Sequence, residues 1–144
     1  PLWSRGLGDV YKRQRKNRII GADACRINYS KLLKEANFDS YIDYLQLDCD
    51  PPNKTFEILL SIPFDKYKFG IITYEHDYYL DITKSYRDKS RNYLYSLGYK
   101  LIINDISLDD STPFEDWWIH PDFVQIDNIP TLSNTNNIRQ ILFR

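Results

Sequence analysis

The side chains able to do chemistry in this chain gather in short runs, each set just after an apolar stretch. They are Asp23, then Asp48, Cys49 and Asp50, then Glu75, His76 and Asp77, then Asp105 and His120. Asp48 and Asp50 stand at i, i+2, so on a continuing strand both carboxylates face one side. Such a pair can hold a metal, orient a cation or raise one partner's pKa. Equally, the pair can cap a following helix, whose N-terminal end welcomes anions. Glu75 and His76 close an otherwise apolar strand. A carboxylate leaving a buried strand needs a partner, and histidine is the side chain best placed to act as a base near neutral pH. A histidine held by structural hydrogen bonds is the alternative reading of His76. Trp117, Trp118 and His120-Pro121 read as packing at a strand end.

The elements that must position these groups follow from the apolar periodicity. Arg18 to Ala22 reads as a short strand ending at Asp23, and Asn28 to Glu35 as a short helix. Ile42 to Leu47 reads as a strand, broken by Pro51-Pro52. Asn53 then caps a helix to about Ser61, with Phe56, Leu59 and Leu60 inward. Phe69 to Tyr74 is a β-branched and aromatic strand. Thr83 to Leu97 reads as an amphipathic helix with Tyr86, Tyr93, Leu94 and Leu97 on one face, and Gly98 sits at its C-terminal cap. Tyr99 to Ile106 and Glu115 to Ile119 are further strands. This alternation predicts an α/β fold with a mostly parallel sheet. The segment between the last two strands is too short for a helical crossover, so they should pair antiparallel. A parallel sheet ending in such a pair is the architecture expected of the carboxyl-terminal part of a Rossmann-like methyltransferase sheet. Ligands of open α/β sheets bind beyond the carboxyl ends of the strands, where the runs above fall.

Composition narrows the classes. The chain has 144 residues, 42% of them hydrophobic, which is enough for one packed domain. Its 19 basic and 20 acidic residues exclude a strongly basic nucleic-acid binder. No apolar run approaches the roughly 20 residues of a membrane span, and no apolar segment follows the basic N-terminus as a secretory signal requires. Cys25 and Cys49 form neither a disulfide framework nor a zinc pattern, so a cytoplasmic, reducing setting is expected. No nucleic-acid, membrane or metal partner is expected.

Charge is unevenly placed. Residues 1–18 carry Arg5, Lys12, Arg13, Arg15, Lys16 and Arg18 against Asp9, while the remainder has 13 basic and 19 acidic groups. Asp9-Val10-Tyr11-Lys12-Arg13-Gln14 resembles the translated end of a transposon-based sequencing adapter. Residues 1–14 are therefore expected to be non-native, 15–122 to form the partial domain, and 123–144 to be a polar tail. On this reading Gly6-Leu7-Gly8 is not a phosphate-binding turn, since it follows no strand and opens no helix.

Five segments carry a family likeness. They are Ile42-Asp43-Tyr44-Leu45-Gln46-Leu47-Asp48-Cys49-Asp50-Pro51-Pro52, Ile62 to Phe69, Ile72-Thr73-Tyr74-Glu75-His76-Asp77, Leu97 to Leu101, and Phe114 to Pro121. In order and spacing they resemble the FkbM family of S-adenosylmethionine-dependent methyltransferases, in the subgroup common in phage and marine sequences. The likeness covers about residues 18–122. It implies S-adenosylmethionine as cofactor and methylation of a hydroxyl on a small molecule or sugar. It also implies that Gly21-Ala22-Asp23-Ala24 is the loop whose acid meets the adenine amino group. Asp48 would lie beside the methionine moiety, with Asp50 also on the cofactor side. Glu75 and His76 would line the acceptor side, His76 as the base and Glu75 orienting it.

The chain departs from the family in three ways, one being the absence of the acid that grips the ribose hydroxyls. It lacks the acidic residue followed by G-x-G that cradles the cofactor, so the chain as given is expected to bind cofactor weakly and to be inactive. Asp50-Pro51-Pro52 also replaces an acid-glycine pair. Two other readings remain: a metal-dependent glycosyltransferase using Asp48 and Asp50 as D-x-D, and a non-catalytic Rossmann-like interaction module.

Overall fold

The computed structural model describes residues 21–109, 111–125 and 137. These residues form an α/β fold, with helices α1 (Tyr29–Glu35), α2 (Pro52–Ser61) and α3 (Tyr86–Ser96) and strands β1 (Tyr41–Leu47), β2 (Lys68–Glu75), β3 (Lys100–Ser107) and β4 (Pro113–Ile119). A 3-10 turn, Ala24–Arg26, precedes α1. Among the described residues no helix is long and apolar enough to cross a membrane.

The four strands make one mixed sheet in the order β1-β2-β4-β3. β1 and β2 pair in parallel, Leu47 opposite Tyr74, whereas β4 runs antiparallel to both β2 and β3. Three strands therefore point one way, with β4 reversed between two of them. The expected antiparallel pairing of the last two strands is found. The expectation of a mostly parallel sheet holds for strand direction and not for neighbours, because inserting β4 leaves a single parallel pair.

Side-chain alternation sorts the sheet into two faces. Leu47, Ile72, Tyr74 and Trp118 pack with Ile58, Leu59 and Ile62 from α2 and its end and with Leu94 of α3. Tyr44 and Ile71, on the opposite alternation, stay 50% and 43% exposed.

Several local expectations are corrected. Residues 18–20 of the first expected strand lie outside the described residues, and Gly21 and Ala22 are not strand. Instead Asp23 caps the 3-10 turn, its carboxylate accepting from the Cys25 backbone N–H at 3.0 Å. Asn28 does cap α1, accepting from Lys31 N at 2.9 Å. Asn53 does not cap α2. That helix begins at Pro52, whose fixed φ suits the first helical position and whose missing N–H needs no partner there. Its buried face is Pro52, Thr55, Ile58 and Leu59, while Leu60 is half exposed.

Helix α3 starts at Tyr86, later than Thr83. The buried carboxylate of Asp81 takes the backbone N–H groups of Thr83, Ser85 and Tyr86, as well as the Thr83 hydroxyl. Those donors are thereby used in a turn before the helix. At the other end Gly98 has φ +88, the left-handed conformation that ends many helices.

Candidate functional site

Because β1, β2 and β3 share a direction, their carboxyl ends meet at one edge of the sheet, together with the start of β4. The first group there is Asp48-Cys49-Asp50, where the Asp50–Pro51 peptide is cis. The Thr55 hydroxyl donates to the Cys49 carbonyl and ties this loop to the first turns of α2.

Asp23, Ala24 and Asp50 line one cavity of about 580 Å3 with Cys25, Cys49 and Lys54. The structure thus brings together three residues placed on the cofactor side. Asp48 lines a neighbouring, more apolar cavity of about 540 Å3 with Leu33, Leu45 and Ile58. Cys49 belongs to both. Both volumes fall in the range of small-ligand pockets, roughly 300–1,000 Å3. Burial holds the Cys25 and Cys49 thiols above the ordinary thiol pKa.

The second group is a cluster of carboxylates. Glu75 ends β2 and faces Glu115 of β4 in the strand register, with the carboxyl groups of Asp48 and Asp77 near it. Burial first, then the neighbouring carboxyls of Asp48 and Asp77, push its pKa up to about 9. Asp77 is buried, with φ 42, and its Oδ1 meets no hydrogen-bond partner. Burial, with Asp50 adding repulsion, raises its pKa as well. Glu115 is raised by burial, with the bond from the Trp117 indole N–H opposing.

His76 turns away from this cluster. Its side chain has 0% exposure. Nδ1 accepts the Tyr78 backbone N–H at 3.2 Å, so in the neutral ring the hydrogen sits on Nε2. Nε2 faces Asp116 Oδ1 at 3.5 Å and Asp105 Oδ1 at 3.8 Å. Those carboxylates are already held. Arg91 binds Asp116 through two hydrogen bonds of 2.8 Å and reaches Asp105 at 2.9 Å, and Arg87 meets Asp105 at 3.1 Å. Burial alone would raise Asp116, but the Arg91 bonds, then His76, leave its pKa lowered. Among the described residues, His76, Asp105 and Asp116 are the one trio close enough to share an ion. The Arg91 guanidinium already supplies the positive charge there. The ring of His76 therefore fixes the loop after β2 and offers no exposed nitrogen to a substrate.

His120 lies at the opposite edge, because β4 runs against the other strands. Its N–H bonds Gly70 O, and its ring stands edge-on to Tyr99 and Phe123. It is a packing residue. Arg87, Arg91 and Asp116 escaped sequence reasoning. The signal was present in α3, where Arg87 and Arg91 stand at i, i+4 on one helix face.

Comparison with family models, with curated proteins and with solved structures gives no match.

Proposed function

We propose that this chain is the carboxyl-terminal portion of an S-adenosylmethionine-dependent methyltransferase acting on a small acceptor. The observation that carries the reading is the sheet order β1-β2-β4-β3 with β4 reversed between β2 and β3. It is the ending expected of a Rossmann-like methyltransferase sheet, and it puts the candidate residues at one edge.

The residues fit the cofactor in kind. Asp23 sits on the rim of the larger cavity, its side chain 58% exposed; Oδ1 accepts from Cys25 N and Oδ2 pairs with the exposed Arg26 at 3.3 Å, so an adenine amino group would compete with that exposed pair for Oδ2. Ala24 and Cys49 give the cavity apolar wall, and Asp50 and Glu57 give it two further acids. Asp48 stands between this cavity and the Glu75 cluster, on the side where a methyl acceptor would meet the donor. When bound, the cofactor supplies an activated methyl group, and the protein's share is positioning and management of the acceptor proton. Asp48 and Asp77 are the groups placed to take that proton. His76 holds the loop that carries Asp77.

The D-x-D alternative has less support. Asp48 and Asp50 line different cavities, and neither belongs to a trio close enough for one ion among the described residues. Equilibrium dialysis with labelled S-adenosylmethionine tests the proposal. Retention should be weak and saturable, and Asp23→Ala should reduce it about tenfold, the effect of about 1.4 kcal/mol. Retention that needs manganese and a nucleotide-sugar would overturn it.

A further inference from the structure

We infer that the apolar cavity between α1, β1 and α2 binds the hydrocarbon body of a hydroxyl compound, with its oxygen at Asp48. The acceptor of this site is then an apolar alcohol or phenol and not a sugar. The inference rests on the proposed reading only in naming that compound the methyl acceptor. The apolar site itself stands on the shape and lining of the cavity.

The cavity measures about 540 Å3 and is walled by Leu33 of α1, Leu45 and Leu47 of β1, Ile58 and Ile62 from α2 and its end, and Phe69 of β2. Ile58, Ile62 and Phe69 are buried, so its floor belongs to the core. Its roof does not close. No residue of α1 is buried, although Leu32 and Leu33 both line the cavity. A surface helix normally lays its apolar stripe on the core, and protein interiors leave few voids larger than a water molecule. Here the leucines of α1 stand over a space of small-ligand size. A space walled in this way takes an apolar molecule in preference to water.

Asp48, the one charged group of the lining, sets the polar end of the occupant. The amide oxygen of Gln46 takes the Tyr44 hydroxyl at 3.5 Å, and Tyr44 belongs to the opposite face of the sheet. Tyr29 spends its hydroxyl hydrogen on the Ala24 carbonyl at 2.9 Å. A sugar presents hydroxyls on every side, and each one buried without a partner costs free energy. A carboxylate at one end suits a molecule with one hydroxyl and an otherwise apolar surface, because the ionised group accepts the hydroxyl hydrogen.

The cavity is continuous with the larger one. Cys49 and Ile58 line both. Tyr29 and Ala24 join them a second time, since the bonded pair has one member in each lining. An occupant with its hydrocarbon on Leu33 and Leu45 and its hydroxyl at Asp48 therefore lies against the wall that the two cavities share.

The test uses the whole chain with 2-naphthol as probe, naphthalene as its counterpart without the hydroxyl, and methyl glucoside as the sugar. Amide and methyl shifts are followed by NMR. The expected result is saturable movement at Leu32, Leu33, Leu45, Ile58 and Ile62 with the naphthol and none with the glucoside. Ile82, 98% exposed, should stay still, which separates the cavity from general surface binding. Naphthalene should bind about tenfold more weakly than the naphthol, and Asp48→Ala should erase that difference. Leu45→Trp fills the space and should weaken the naphthol about tenfold; Leu33→Phe serves if Leu45→Trp fails to fold. Equal affinity for naphthol and naphthalene, response to the glucoside, movement of Ile82, or undiminished binding by the filled variant overturns the inference. So does the same set of shifts on concentrating the chain alone, because a second copy then covers the cavity. Binding of the naphthol without binding of S-adenosylhomocysteine would remove the methyltransferase reading and leave the apolar site.

Discussion

The Arg91 guanidinium grips the Asp116 carboxylate side-on, Nε to Oδ2 and Nη2 to Oδ1, both at 2.8 Å. The pair joins α3 to β4 under the sheet edge where the candidate site lies. Asp116 has 0% exposure, so its charge depends on Arg91. Arg91→Ala should cost about 3–5 kcal/mol in urea unfolding, as removing one partner of a buried pair does. A cost below about 1 kcal/mol, the range of an exposed pair, would contradict this.

The same pair sets an acid limit. Asp116 has its pKa lowered in the folded chain. Its contribution is therefore present above the ordinary carboxylate pKa and is lost as pH falls through the lowered value. Wild-type stability should fall steeply below about pH 4, and the Arg91→Ala curve should be flatter there. Thermal unfolding across the acid range reads both.

Glu75 acts in the opposite sense. Its pKa is raised to about 9, so the folded state binds the extra proton and loses stability as pH climbs toward that value. Glu75→Gln removes the titration. The variant should be more stable than wild type at about pH 9, with a flatter slope between about pH 5 and pH 9. Identical slopes for the two proteins would refute the raised pKa of Glu75.

Asp81 is the anchor of the loop between β2 and α3. It is 4% exposed and accepts from Thr83, Ser85 and Tyr86. Asp81→Ala leaves those backbone donors without their partner and should cost about 1–3 kcal/mol. Hydrogen exchange should speed up at Thr83, Ser85 and Tyr86 before it changes in β2. Unchanged exchange at those amides would show that the loop is held by other contacts.

Much of the fold was legible because local chemistry and packing agree. Gly98 marked the end of α3, Asn28 capped α1, and the apolar runs around Leu47, Ile72 and Ile103 became strands. Strand order was less legible. Neighbour choice depends on contacts far apart in sequence, and reading each strand forward placed His120 at the wrong edge once β4 proved reversed. The start of α3 was missed because Asp81, a single carboxylate, captures several donors ahead of it. For the site, carboxylates after apolar runs were visible as residue types. What each one faces was not. His76 looked like a base until the ring was found beneath the edge, between Tyr78 N and Asp116.

The most direct measurement of the central claim is an amide-resolved NMR titration of the whole chain with S-adenosylhomocysteine. The account predicts saturable shifts at Ala24, Cys25, Cys49, Asp50 and Lys54, which line one cavity, with His120 at the far edge unmoved. Shifts confined to residues away from that cavity, or none at any concentration that leaves the chain folded, would contradict it.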